Sequence, residues 1–187
     1  MQVFLVHIGH PGHIDVNYTI KRRRQVSELL HHLPPDAAER NFFEHDTSFN
    51  AVFPTGQFHC WGLPPGAQSN FRRTRIGDLV LIVPWIGTHN GGIHYVGVVK
   101  AKCPVSAPLA SQILWPKTPN QRTYPWLIFF DAEEGYRAWC DFLDDLQCNA
   151  KWNPNGRYIR LTERHLATRG GADGYLRFLR EQSFRPS

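Results

Sequence analysis

Two tryptophans, Trp61 and Trp115, each stand where an apolar segment gives way to a proline-containing loop, in Cys60-Trp61-Gly62-Leu63-Pro64 and Leu114-Trp115-Pro116. Both segments read as strands. Aromatic faces on loops of a rigid scaffold suit stacking against a flat ligand, and core packing is the rival reading at both positions. Tyr124 and Trp126 precede a buried strand, and core packing leads for Trp126. Trp139 lies on an apolar helical face and reads as core, whereas Trp152, in a polar turn, reads as lying over a surface groove. Basic side chains crowd two stretches, Lys21-Arg22-Arg23-Arg24 and Asn70-Phe71-Arg72-Arg73-Thr74-Arg75. They suit contacts to phosphate, with a solvated surface as the plain alternative.

Catalytic chemistry finds less support. His7, His10, His13 and Asp15 occupy a Gly/Pro loop at spacings that no helix face aligns, so a metal site is not expected. Cys60 beside His59 invites thiol chemistry, but a cysteine ending a strand is more often a small buried residue. No set of nucleophile, base and orienter can be picked out, and no nuclease signature is visible. His7-Ile8-Gly9-His10 follows a strand and resembles the HIGH signature of class I aminoacyl-tRNA synthetases and related nucleotidyltransferases. There, two histidines hold a triphosphate's developing charge at a helix start. No lysine-rich partner motif and no alternating βαβ pattern follows here.

The chain has 187 residues, 42% hydrophobic and 20% charged, which suits one soluble globular domain with a real core. Its 21 Lys and Arg against 16 Asp and Glu tilt it toward polyanions. Acid collects at Asp131-Glu133-Glu134 and Asp141-Asp144-Asp145, and a third basic run extends from Arg157 to Arg185, so a positive and a negative side are expected. Four widely spaced cysteines without a C-x-x-C suit a reduced, cytoplasmic protein. No apolar run reaches the ~18–20 residues of a membrane span, and the start is too short and strand-like for a signal peptide.

Positioning these residues requires the following elements. Gln2 to Ile8 reads as a buried strand. Residues 19–32 read as a helix with Thr19 as cap and a basic first turn, closed by Pro34-Pro35, with one more turn over 36–41. Residues 42–57 read as an irregular packed loop feeding a strand over Gln57 to Trp61. Gly77-Asp78 marks a tight turn launching Leu79 to Val83, and His89-Asn90-Gly91-Gly92 returns the chain through Ile93 to Val99 as a hairpin. Tyr124 to Phe130 is a strong strand, Glu134 to Leu146 a helix, Arg157 to Leu161 a strand and Asp173 to Gln182 a helix.

A Trp ahead of a Gly-Asp turn, then a hairpin returning through Val96-Gly97-Val98-Val99, resembles the PUA-like domains, which include the ASCH, EVE and YTH types. The Leu114-Trp115-Pro116, Tyr124-Pro125-Trp126 and Gly77-Asp78-Leu79 phrases are also similar to modified-base recognition domains of modification-dependent restriction systems. The resemblance covers residues 1–8 and 57–130, with 9–56 as a helical or loop insertion and 131–187 as a helical C-terminal extension of one domain. It implies an α+β fold: a PUA-like mixed β-barrel, YTH/EVE-like, with flanking helices.

The YTH-type domains grip a methylated base in an aromatic cage. The resemblance places Trp61 and Trp115 as walls, Tyr124 rather than Trp126 as a third, and His7, Gly9 and His10 in the loop that reads the base edge. The two tryptophans are then expected to face each other across a slot about 7 Å wide. Lys21, Arg22, Arg23, Arg24, Asn70, Arg72, Arg73 and Arg75 are expected on the nucleic-acid backbone. The implied function is a non-catalytic reader of a modified base, in DNA rather than RNA, flipped out of the duplex. N6-methyladenine comes first and 5-methylcytosine or a hydroxymethylated form second. No cofactor is expected, and cleavage would come from a partner nuclease or a missing domain. The alternatives are a nucleotide-handling enzyme using the His7-Ile8-Gly9-His10 loop and an RNA-binding PUA-like domain indifferent to modification.

Overall fold

A computed structural model describes residues 1–8, 15–87, 90–116, 123–154, 158–182 and 184–186. Gly9, His10 and His13, named above, lie outside the described residues. The described strands are β1 (Val3–His7), β2 (Arg24–Gln25), β3 (Gln57–Leu63), β4 (Leu79–Val83), β5 (Gly92–Lys102), β6 (Trp126–Ala138), β7 (Tyr158–Leu161) and β8 (Arg185–Pro186). The described α-helices are α1 (Val16–Thr19), α2 (Val26–His32), α3 (Ala38–His45), α4 (Thr47–Val52), α5 (Gln68–Arg73), α6 (Pro108–Leu114), α7 (Trp139–Asp145), α8 (Glu163–Leu166) and α9 (Gly171–Gln182). The chain forms two compact units: one of Met1–His13, Gly77–Val98 and Ala132–Ser187, the other of Ile14–Ile76 and Val99–Asp131.

In the first unit, β1 is apolar along almost its whole length because it is flanked on both sides. It pairs in parallel with β4, from Val3 opposite Leu79 to His7 opposite Val83, and antiparallel with β7. β4 and β5 form the expected hairpin, from Leu79 opposite Val98 to Ile82 opposite Tyr95. Gly77 has φ +90°, which glycine adopts without strain, and the Asp78 carboxylate accepts from the Gln2 amide at 2.7 Å. Side chains of β1 and β4 pack with Phe142 and Leu143 of α7 and with Tyr175, Leu176 and Leu179 of α9.

The expected helix over 134–146 is only α7. Residues up to Ala138 stay extended, where Glu133 and Glu134 pair with β8. Within this unit, ion pairs link the acidic stretches to part of the C-terminal basic run. Asp145, 2% exposed, bonds Arg137 at 2.8 Å and Arg169 at 2.7 Å, and Glu133 bonds Arg180. Of the C-terminal arginines, Arg169 and Arg180 pair with this acid, while Arg160 and Arg164 do not.

In the second unit, β3 lies antiparallel to β2 and to β6, from His59 opposite Phe130 to Leu63 opposite Trp126. Residues 42–57 are not an irregular loop. They complete α3 and form α4, whose start is capped by Asp46 accepting from the Phe49 amide at 2.7 Å. Phe42, Phe43, Phe49 and Phe53 from this stretch pack their rings on Phe58 and Phe129, with centroids between 5.0 and 6.5 Å apart. The expected helix over 19–32 is likewise split, because Arg24 and Gln25 are drawn into pairing with Phe58 and Gln57, so α2 begins at Val26.

Candidate functional site

The site is built around α6, a short helix that the sequence did not reveal. Its first turn is held by the buried Glu39 carboxylate, which accepts from the Leu109 and Ala110 amides at 2.9 and 3.3 Å. Its last turn is held by Arg24, whose guanidinium donates to the Leu114 carbonyl at 2.8 Å and the Ile113 carbonyl at 3.4 Å. Acid at the N-terminus and base at the C-terminus complement the helix dipole. Glu28 in turn grips Arg24 with contacts of 2.6 and 3.0 Å, and the arginine holds the Glu28 carboxyl below its usual range. Arg24 is therefore a buried helix anchor, which corrects its expected place on the nucleic-acid backbone.

Trp115 follows α6 directly, and its amide bonds the Ser111 carbonyl at 3.0 Å. It ends a helix, not a strand. Trp61 lies inside β3, opposite Ile128, not at a strand-to-loop step. The two rings meet edge to face, with centroids 6.0 Å apart and planes at 74°, so the expected face-to-face slot between them is not formed.

Tyr124 supplies the facing wall instead. Its ring lies 6.4 Å from Trp61 at only 27°, while Trp115 stands nearly perpendicular to it, 5.6 Å away at 83°. The three rings make two near-parallel walls closed by a third. They are 5%, 2% and 6% exposed for Trp61, Trp115 and Tyr124, so the box is shut.

Polar contacts fix the box. The Trp115 indole Nε1 donates to the Asp15 carbonyl at 3.2 Å, and the Tyr124 hydroxyl donates to the Asp15 carboxylate at 3.0 Å. The Tyr124 amide donates to Ser111 Oγ at 2.7 Å. Asp15, 1% exposed, thus ties together two walls from distant parts of the chain. Gly62 admits their close approach: a Cβ there would lie 2.4 Å from Tyr124 Cβ and 2.8 Å from the Trp115 ring. Asp15, Gly62, Ser111 and Glu39 were not singled out for these roles. The legible signals were a carboxylate just ahead of a short apolar segment and a glycine inside a bulky strand.

Other named residues fall elsewhere. Trp126 sits opposite Leu63 with its ring 5.3 Å from Phe71, outside the box. His7 is the last residue of β1, in the first unit. The Cys60 thiol is fully buried and burial pushes its pKa far up, while burial pushes His59 down to about 4. Neither group is poised as a nucleophile or base at neutral pH. Among the described residues, no cluster of three or more His, Cys, Asp or Glu could hold a metal ion. No helix among them is long and apolar enough to cross a membrane.

The second unit also carries exposed positive charge. Lys21, Arg22 and Arg23 are exposed between α1 and β2; Arg72 and Arg73 are exposed on α5, with Arg75 just beyond and Asn70 half-buried in the helix. The C-terminal carbonyls of α5 are capped by Lys102, which donates to Phe71 O at 2.8 Å and Thr74 O at 2.7 Å.

No protein-family model matches the chain, and no curated protein does. Among solved structures, the N-terminal domain of Thermococcus gammatolerans McrB bound to m5C DNA superposes with a TM-score of 0.63 at 16% identity, covering 97% of this chain and 98% of that one. Human THYN1 protein in complex with 5-methylcytosine-containing DNA matches with a TM-score of 0.43 at 9% identity, over 89% and 94% of the two chains. The chain has the PUA-like α+β fold, mixed strands with flanking helices.

Proposed function

We propose that the chain is a non-catalytic reader of a modified base in DNA, serving as the recognition part of a modification-dependent restriction system whose nuclease lies on a partner or a further domain. The observation that carries this reading is the aromatic box of Trp61, Trp115 and Tyr124, tied by Asp15. The Trp61 and Tyr124 rings lie within 27° of parallel with centroids 6.4 Å apart, and a base enters when these walls part to the ~7 Å between planes that a sandwiched base requires. A methylated base is flat and weakly polar. Stacking on such walls contributes about 1–3 kcal/mol per base, which offsets much of the cost of flipping it from the duplex. Exposed Lys21, Arg22, Arg23, Arg72, Arg73 and Arg75 supply phosphate contacts from the same unit.

Two observations favour 5-methylcytosine over N6-methyladenine. The McrB domain of similar fold is bound to m5C DNA. The Asp15 carboxylate beside the box is a hydrogen-bond acceptor, which suits the two-proton N4 amino group of cytosine better than a methylated N6 with one proton left.

The test titrates one duplex, unmodified or carrying 5-methylcytosine or N6-methyladenine, with matching single strands and RNA, at two salt concentrations. The expected result is preference for the 5-methylcytosine duplex, reduced at least tenfold in Trp61→Ala with little change on unmodified DNA. Equal binding to all duplexes by the native protein sinks the reading.

A further inference from the structure

The first unit holds a cleft of about 740 Å³ unconnected with the aromatic box by any shared residue. Met1, Gln2 and Val3 line one side, Arg160 to Arg164 another, and Leu166, Gly171 and Ala172 the rest. Its floor is apolar: Val3, Leu161, Leu166 and Ala172 are each no more than 7% exposed. Its rim carries two exposed guanidinium groups, Arg160 on β7 and Arg164 on α8.

These two arginines differ from Arg137, Arg169 and Arg180 of the same unit. Those three are bound to Asp145 or Glu133. Arg160 and Arg164 make no salt bridge with a described residue; Arg160 only donates to the Gln2 side-chain oxygen at 3.2 Å. Among the described residues lining the cleft, Glu163 is the one carboxylate against Arg160 and Arg164, so the described rim keeps a net positive charge. A positively charged rim over an apolar floor suits an anion that also carries a flat apolar body. Guanidinium favours phosphate among common anions, because its planar donors match two phosphate oxygens at once.

We propose that this cleft binds a phosphate ester bearing a nucleobase or sugar, with the phosphate on Arg160 and Arg164 and the apolar body over Leu161, Leu166 and Ala172. The source is either a free nucleotide or the backbone of bound DNA. The inference stands apart from the base-reading proposal, since no residue is common to the two sites.

The experiment records amide chemical shifts of the whole chain during titration with inorganic phosphate, deoxycytidine monophosphate or a short unmodified duplex, in the native protein and in R160A/R164A. Both side chains are on the surface, so the double variant is expected to keep the native spectrum. Saturable shifts at Arg160, Thr162, Arg164 and Gly171 that weaken about tenfold or more in the double variant support the proposal. Saturation by the mononucleotide identifies the free ligand, and saturation by the duplex alone identifies the backbone. Shifts that never saturate, that lie elsewhere, or that persist undiminished in R160A/R164A overturn it. Loss of preference for modified DNA without loss of these shifts would defeat the base-reading proposal and leave this one standing.

Discussion

The Tyr124 hydroxyl donates to the Asp15 carboxylate across 109 residues of sequence, in a site where neither side chain is more than 6% exposed. This one bond fixes a wall of the aromatic box to the segment ahead of α1. A buried hydrogen bond to a charged group contributes about 1.5–3 kcal/mol. Tyr124→Phe keeps the ring and is expected to lose stability of that order in chemical denaturation. It is also expected to weaken binding to 5-methylcytosine DNA, because the wall and the carboxylate are no longer held together. Unchanged stability would mean that the bond does not organise the site.

Gly62 offers a sharper steric test. Its added methyl would overlap Tyr124 and Trp115, whereas a Cβ at Gly66 meets nothing within 4 Å. Gly62→Ala is expected to cost about 1–3 kcal/mol by overpacking, with altered tryptophan fluorescence from the displaced box. Gly66→Ala is expected to change stability by less than about 0.5 kcal/mol. Equal effects in paired urea titrations would contradict the close packing.

The arginines divide into two kinds. Arg24→Ala leaves the last carbonyls of α6 without their buried donor, while Glu28 can turn to solvent, and is expected to destabilise by about 1–3 kcal/mol. Replacing Arg72, Arg73 and Arg75 together is expected to leave folding nearly unchanged, lower affinity for modified and unmodified DNA alike, and flatten the salt slope by about one unit per lost contact. A salt slope unchanged in the triple variant removes these residues from the interface.

His59 gives a pH dependence. Its imidazole is pushed down to about 4, chiefly by burial, with Arg23 adding to the effect and Asp131 opposing it. The unfolded chain takes up the proton near pH 6.5, so this contribution to stability is complete above that pH and is lost as pH falls toward 4. His59→Gln is expected to make stability fall less steeply than in the native protein, by about 1–3 kcal/mol across that window. Parallel acid-unfolding curves for the two proteins would show that His59 is not held neutral.

Trp115→Ala differs from a change at a pocket mouth. The ring is 2% exposed, so its removal leaves a closed cavity, and a loss of about 3–5 kcal/mol is expected. Binding comparisons therefore belong with Trp61→Ala and Asp15→Asn, after each is shown by thermal unfolding to remain folded at the assay temperature.

Local pattern settled β1, the hairpin of β4 and β5, β7 and most of α9, because each is written in consecutive residues. An apolar run flanked by turn formers, or a helical repeat, specifies its own geometry. Trp61, Trp115 and Tyr124 were legible as a group through the family resemblance, and their proximity is what the structure shows. Their arrangement was not legible. Whether Trp115 faces Trp61 or closes the end of a box depends on α6, and α6 depends on Glu39 and Arg24, some 70 to 90 residues away in sequence. Arg24 reads as surface charge because three basic neighbours surround it; only pairing of β2 with β3 turns it inward. The phenylalanines of 42–57 looked irregular for the same reason, since their helical faces appear only once Phe58 and Phe129 are there to cover them. Runs with one local answer could be read directly, whereas segments whose conformation is decided by a distant partner could not, because burial and ion pairing act through space and leave no mark on neighbouring residues.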